Sequence, residues 1–249
     1  TKIPNTELSS TIHDPIDSLD SKEAINVMLS SHILGLSYIE KKIEKIDQIT
    51  TRIFQYLKNN TSGRLVYVGA GTSARIAVQD GVELTPPFGW PKDRLAFMVA
   101  GDDTALLAAV EGAADNIKMA KCMVNTKKVN KNDVIIALAA SGNTKFTNTV
   151  ILESKKLGAL TIAISNNPEG KILKNANLQI SFDTGPEVVV GSTRLKAGTV
   201  QKVCLNIIST SLMIRMGRVK NGYMSHMLAS NNKLRERQIR INKEIGHLN

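Results

Sequence analysis

The sequence predicts an α/β domain in three layers, a five-stranded parallel sheet covered by helices on both faces and flanked by N- and C-terminal helices. Three observations predict it. Five short apolar runs rich in β-branched residues occur at 65–68, 95–100, 134–139, 160–164 and, more weakly, 178–181. Longer stretches of helical character separate them, at 73–84, 103–121, 145–157 and 168–176, with a further helix at 194–216. Buried strands alternating with helices have only one common solution, a parallel sheet with crossover helices.

The flanking elements follow from local signals. Residues 1–19 hold Pro4, Pro15 and many Ser, Thr and Asp, and read as an extended arm. Asp20-Ser21-Lys22-Glu23 has capping-box spacing and should start a helix. A second helix is read from Ile39, Ile43, Ile46, Ile49, Ile53 and Leu57, which recur at steps of three and four and form one apolar stripe. A basic helix is expected near 226–245. The organisation is therefore an arm and helices over 1–60, a ligand-binding domain over 61–216, and a basic C-terminal helix over 217–249.

Composition narrows the function. In 249 residues, 42% apolar and 22% charged, there is ample material for one large core. Aromatics are only 4%, too few for a base-stacking surface. The net charge of +10 is concentrated at the C-terminus, where residues 215–249 carry eight Lys/Arg against two Glu. With no helix-turn-helix or finger pattern, nucleic acid ranks low and a solvated basic face ranks first. Cys122 and Cys204 are isolated, and His13, His32, His226 and His247 are not at ligand spacing, so no metal site is supported. No signal peptide or membrane-length apolar run appears, and a cytoplasmic location is the expectation.

Chemistry is expected at the carboxyl ends of the strands, where helix N-termini present free N–H groups to anions. The first such loop, Gly69-Ala70-Gly71-Thr72-Ser73-Ala74, matches the G-x-G-x-x-A dinucleotide spacing, a weak signal alone. Its hydroxyls are repeated in a second loop, Ala140-Ser141-Gly142-Asn143-Thr144. Two hydroxyl-bearing loops after buried strands favour a bound phosphomonoester held by Gly71, Thr72, Ser73, Ser141, Gly142, Asn143 and Thr144. A third segment, 191–199, offers Ser192, Thr193 and a cation, Arg194 or Lys196, as a lid over an anionic group. A dehydrogenase stays open on these residues alone, because Asp102 is suitably placed for a ribose.

Several longer motifs appear in order: Gly69–Ser73, then Glu83 with Pro86-Pro87-Phe88-Gly89, then Val110-Glu111-Gly112-Ala113, then Ala139–Thr144, then Gly185-Pro186-Glu187-Val188, then Gly191–Thr199. Over residues 17–245 the chain resembles the N-acetylmuramic acid 6-phosphate etherases of the sugar isomerase (SIS) superfamily. The 83–89 and 191–199 motifs are shared with the glucokinase regulatory protein. The resemblance implies a homodimer with sites completed by both protomers, a sugar-phosphate substrate, no metal or organic cofactor, and a role in peptidoglycan recycling. It implies cleavage of the D-lactyl ether to N-acetylglucosamine 6-phosphate and D-lactate, with Glu83 protonating the leaving lactate. Glu111 matches the family as well. The position usually assigned as base falls on Ala114 here, so turnover is an open question, and a regulator that binds without turnover or a sugar-phosphate isomerase are the alternatives. If 103–121 is one helix, Glu111 and position 114 share a face. The apolar 200–214 helix and the N-terminal helices supply more apolar face than one three-layer domain needs, which also points to a dimer.

Overall fold

The computed structural model describes residues 3–11, 14–229 and 232–247. The five expected strands form one parallel sheet, β1 (Leu65–Gly69), β2 (Leu95–Val99), β3 (Val134–Ala139), β4 (Leu160–Ser165) and β5 (Leu178–Ser181), in the order β2-β1-β3-β4-β5. The chain winds outward from β1 to β2, then crosses back to β3 on the other side. That reversal opens a crevice between the carboxyl ends of β1 and β3.

The strands alternate cleanly between two cores. Leu65, Tyr67, Ile136, Leu138, Ile162 and Ile164 face one side. There they meet α1 (Ser21–Glu40), α2 (Ile43–Lys58), α3 (Gly71–Val82) and α9 (Lys196–Arg215). Val66, Val68, Ile135, Ala137 and Ala163 face the other side. That core is closed by α6 (Ile117–Thr126), α7 (Lys145–Lys156) and α8 (Lys171–Asn175). Burial on both faces is why these strands read as continuous apolar runs.

Four expectations are corrected. Among its described residues the arm is not extended throughout. It makes 3-10 turns at Asn5–Glu7 and Ile16–Ser18, and Asn5 Nδ2 donates to Asp183 across the end of β5. Residues 1, 2, 12 and 13, including His13, lie outside the described residues. The isoleucine stripe is split between two helices. Asp20 does make the capping box that starts α1, but α1 ends at Glu40, and Lys42 takes a non-helical conformation before α2. Ile39 and Ile46 stay in one core, whereas Ile43 is exposed.

The third correction bears on chemistry. Residues 103–121 are not one helix. A single turn, α5 (Thr104–Leu107), gives way to extended backbone at Ala108. Gly112 then adopts a left-handed conformation at φ 68°, a 3-10 turn spans Ala113–Asp115, and Asn116 caps α6 by accepting from Met119 N–H. A left-handed residue interrupts a helix and an Asn N-cap marks the start of a new one, so Glu111 and Ala114 do not share a helical face. The fourth lies near the C-terminus, where a short antiparallel pair, β6 (Val219–Lys220) and β7 (Tyr223–Met224), precedes α10 (Asn232–His247). The basic helix thus starts later than expected; α4 (Thr85–Phe88) is a single turn after Glu83.

Candidate functional site

Two helices begin at the crevice, α3 directly after β1 and α7 after the 140–144 loop, and neither has a side-chain cap. By contrast, Asp20 caps α1 and Asn116 caps α6. Uncapped N–H groups of two helices on adjacent strands leave donors and two positive dipole ends aimed at one place.

Each predicted loop residue has a definable part. Gly71 opens α3 at φ 55° and is exposed. The Ser73 hydroxyl is buried and donates to Gln201 Oε1 at 2.9 Å. Gln201 in turn donates to Asn166, whose side chain donates to the Ala197 carbonyl. This chain ties the first loop to α9 and to the end of β4. In the second loop, Ser141 Oγ accepts from Asn143 N–H, and Asn143 Oδ1 accepts from Lys171 N–H at 3.2 Å. Asn143 is therefore occupied in holding α8. Thr144 makes no hydroxyl hydrogen bond within the described residues and remains available to a ligand. Gly142 has φ 72°, and a Cβ there would collide with the Gly170 backbone and lie 2.7 Å from Ser165 Oγ. Only glycine satisfies both the conformation and the close approach.

The third segment joins through Gly198. A Cβ at that position would lie 3.2 Å from the Thr193 carbonyl and 3.5 Å from Thr72 Cγ2. Thr193 and the neighbouring Ser192 therefore stand beside the first loop. Lys196 does not point that way. It is 5% exposed, and its ammonium donates to the Pro186 carbonyl at 2.7 Å, on the α1 side of α9. Burial lowers its pKa from the ordinary lysine value, and the nearby Glu187 carboxylate partly offsets that.

The two carboxylates are placed differently. Glu111 is exposed on the 108–115 segment. That segment is anchored at both ends beside the loops. Arg75, in the first turns of α3, donates to the carbonyls of Ala105, Leu106 and Ala108. Lys145, the first residue of α7, pairs with Asp115 at 3.4 Å. Glu83 sits at the far end of α3, exposed, its carboxylate without a hydrogen-bonding partner among the described residues. It lies eleven residue steps along the helix from Thr72, about 16 Å at 1.5 Å per residue.

With this geometry in place, comparison with known proteins decides the family. The chain is 38% identical over 226 residues to the N-acetylmuramic acid 6-phosphate etherase of Clostridium acetobutylicum, covering 91% of this chain and 74% of that protein. It is also 38% identical over 240 residues to the enzyme of the same name from Oceanobacillus iheyensis, covering 96% and 81%. The chain belongs to the N-acetylmuramic acid 6-phosphate etherase family. Residues 48–153 match the glucokinase regulatory protein N-terminal SIS domain, and residues 120–207 match the SIS domain. Among solved structures, a phosphoheptose isomerase from Francisella tularensis aligns with a TM-score of 0.59 at 19% identity, covering 80% of this chain and 98% of that one. A phosphoheptose isomerase from Neisseria gonorrhoeae gives 0.56 at 17% identity, covering 80% and 98%. These two likenesses carry the fold.

For an etherase-family chain, three positioning residues escaped the sequence reading. Arg75 looks like an ordinary helix cation. Gln201 looks like a polar residue on an apolar helix. Glu187 is fully buried and caps α9 by accepting from Lys196 N–H at 3.0 Å and Ala197 N–H at 2.8 Å. Its place in the 185–188 motif was visible, but its partners lie nine and ten residues on, across a loop with no periodic signal. Among the described residues no three His, Cys, Asp or Glu converge on a metal site, and no helix is long and apolar enough to cross a membrane.

Proposed function

We propose that this chain cleaves the D-lactyl ether of N-acetylmuramic acid 6-phosphate, giving N-acetylglucosamine 6-phosphate and D-lactate, as a step in peptidoglycan recycling in the cytoplasm. The observation that carries the reading is the pair of uncapped helix N-termini at the β1/β3 crevice, in a chain of the etherase family. The 6-phosphate is held by N–H groups of the 71–73 and 141–144 loops and by the Thr144 hydroxyl, with Ser192 and Thr193 beside it. The chemistry needs a sugar opened to its C1 aldehyde. A base removes the C2 proton, which the aldehyde acidifies. The electrons form a C2–C3 double bond as the C3–O bond breaks, and an acid gives the departing lactate its proton. Water then adds at C3 and a proton returns to C2, so the sum is substrate plus water.

Glu83 is assigned as the acid. About 16 Å from its own loop at the helical rise, it is too distant for the sugar held there, so it serves the site of a second copy. An exposed apolar row on α1, Ile25, Leu29, Ile33 and Leu36, supports a homodimer. Glu111 is the carboxylate of the segment anchored by Arg75 and Lys145, and takes the base role as far as it can from a turn. Ala114 favours a second reading, a sugar-phosphate binder with slow or absent turnover.

The test is lactate release from N-acetylmuramic acid 6-phosphate, with solvent deuterium entry at C2 as an independent readout. A missing positioned base costs about 10²–10⁴-fold. Ala114→Glu should raise both readouts. Full turnover by the unmodified chain, with no gain from Ala114→Glu, would show that Ala114 has not removed the base.

A further inference from the structure

A cavity of about 380 Å³ lies beside the N-terminus of α9, on the side away from the phosphate loops. Asn26, Ser30, Ser31 and Leu34 of α1 form one wall, and Thr184 and Pro186 of the loop after β5 form the other. None of residues 69–73 or 141–144 lines it. Of the proposed substrate-binding residues, Lys196 alone does.

Two buried polar groups here are incompletely satisfied. Thr184 is 1% exposed, and its hydroxyl has no hydrogen-bonding partner among the described residues. Lys196 is 5% exposed, and among those residues the Pro186 carbonyl is the acceptor for its ammonium. An ammonium has three donors, so two are left. Glu187 does not fill them: its carboxylate makes no hydrogen bond to the ammonium and is turned to the backbone N–H groups of Lys196 and Ala197. Unfilled donors buried in a protein cost free energy unless an acceptor arrives. Most of the remaining lining is apolar, including Leu34, Tyr38 and Val188.

We propose that this cavity is a binding site for a short-chain monocarboxylate, whose carboxylate is taken by the Lys196 ammonium and the Thr184 hydroxyl and whose alkyl body lies against Leu34 and Val188. A monoanion fits Lys196, the single lining cation among the described residues. A phosphate dianion is disfavoured by the Glu187 carboxylate, which already occupies the first N–H groups of α9. The site stands on the cavity and its donors alone and does not depend on the etherase reading.

The test uses hexanoate as probe and hexylamine as its charge-reversed control, titrated into the full chain and followed by amide shifts. Hexanoate should bind saturably, moving amides in 26–34 and 184–188 and leaving 69–73 and 141–144 in place. Thr184→Val is nearly isosteric and removes an unpartnered hydroxyl, so folding is retained and affinity for hexanoate should fall about 3–10-fold. Ser31→Trp fills the cavity and should abolish binding. The proposal is overturned by equal binding of hexylamine, by hexanoate shifts confined to the phosphate loops, or by undiminished binding to Ser31→Trp. It is also overturned if hexanoate gives no saturable shift because a second copy covers α1.

Discussion

Glu187 touches no proposed substrate atom, yet its removal should damage both stability and binding. Glu187→Ala leaves the N–H groups of Lys196 and Ala197 without acceptors in a fully buried place. Each unsatisfied donor costs about 1–3 kcal/mol, and the lost charge at a helix N-terminus adds up to about 2 kcal/mol in a buried geometry. Against this, the variant no longer desolvates a carboxylate, and water can enter the space left behind. The net expectation is a loss of about 3–4 kcal/mol. Glu187→Gln keeps one acceptor and should lose about half as much. The same change loosens the first turn of α9, which holds Gly198 against Thr72 and Gln201 against Ser73. Affinity for N-acetylglucosamine 6-phosphate should therefore fall although no ligand contact is deleted. Urea unfolding and titration calorimetry measure the two effects. A stability loss under about 1 kcal/mol, the lower bound for a single orphaned donor, or a large loss with unchanged affinity, would refute the proposed coupling of the cap to the site.

Three further outcomes are expected. Burial raises the Asp80 carboxyl above its ordinary 3.8, and hydrogen bonds from Asn206, Tyr67 and Ser209 partly oppose the shift. A raised pKa means that Asp80 contributes most stability below 3.8 and loses it as pH rises through the folded value. The stability advantage of the wild type over Asp80→Asn should thus shrink as pH rises above 3.8, and a growing advantage in urea midpoints would contradict this. Burial pushes the Cys204 thiol up to about 12, while Cys122 is exposed, so iodoacetamide at about pH 8 should label one thiol per folded chain and two in denaturant. Mass spectrometry that finds Cys204 labelled in the folded chain would rule out that burial. Gly142→Ala must strain a left-handed residue and push Gly170 away, so sugar-phosphate binding should drop at least about tenfold with a lowered melting temperature, and normal binding would argue against the second loop as a phosphate seat.

The sequence by itself determined the sheet and the loops on which the proposed site is built. Strands buried on both faces read as continuous apolar runs, as β1, β3 and β4 do, while the partly exposed edge strands β2 and β5 appear where shorter or weaker runs stand. The Asp20 capping box and the hydroxyl loops at 71–73 and 141–144 are also local, each complete within a turn or so of chain. The tertiary structure decided what local signals cannot carry. The helical character of 103–121 is broken by Gly112 and Asn116, and the stripe from Ile39 to Leu57 hides a break because Ile39 and Ile46 pack into one core from two helices. Ser73 and Gln201 meet across 128 residues of sequence, and Arg75 finds its carbonyls on another element. Lys196 reads in sequence as a cation for the phosphate, but the cap made by Glu187 and the Pro186 carbonyl turn it to the opposite side of α9. Which partner a polar side chain finds depends on packing between distant segments, and that is set only once the hydrophobic core has brought them together.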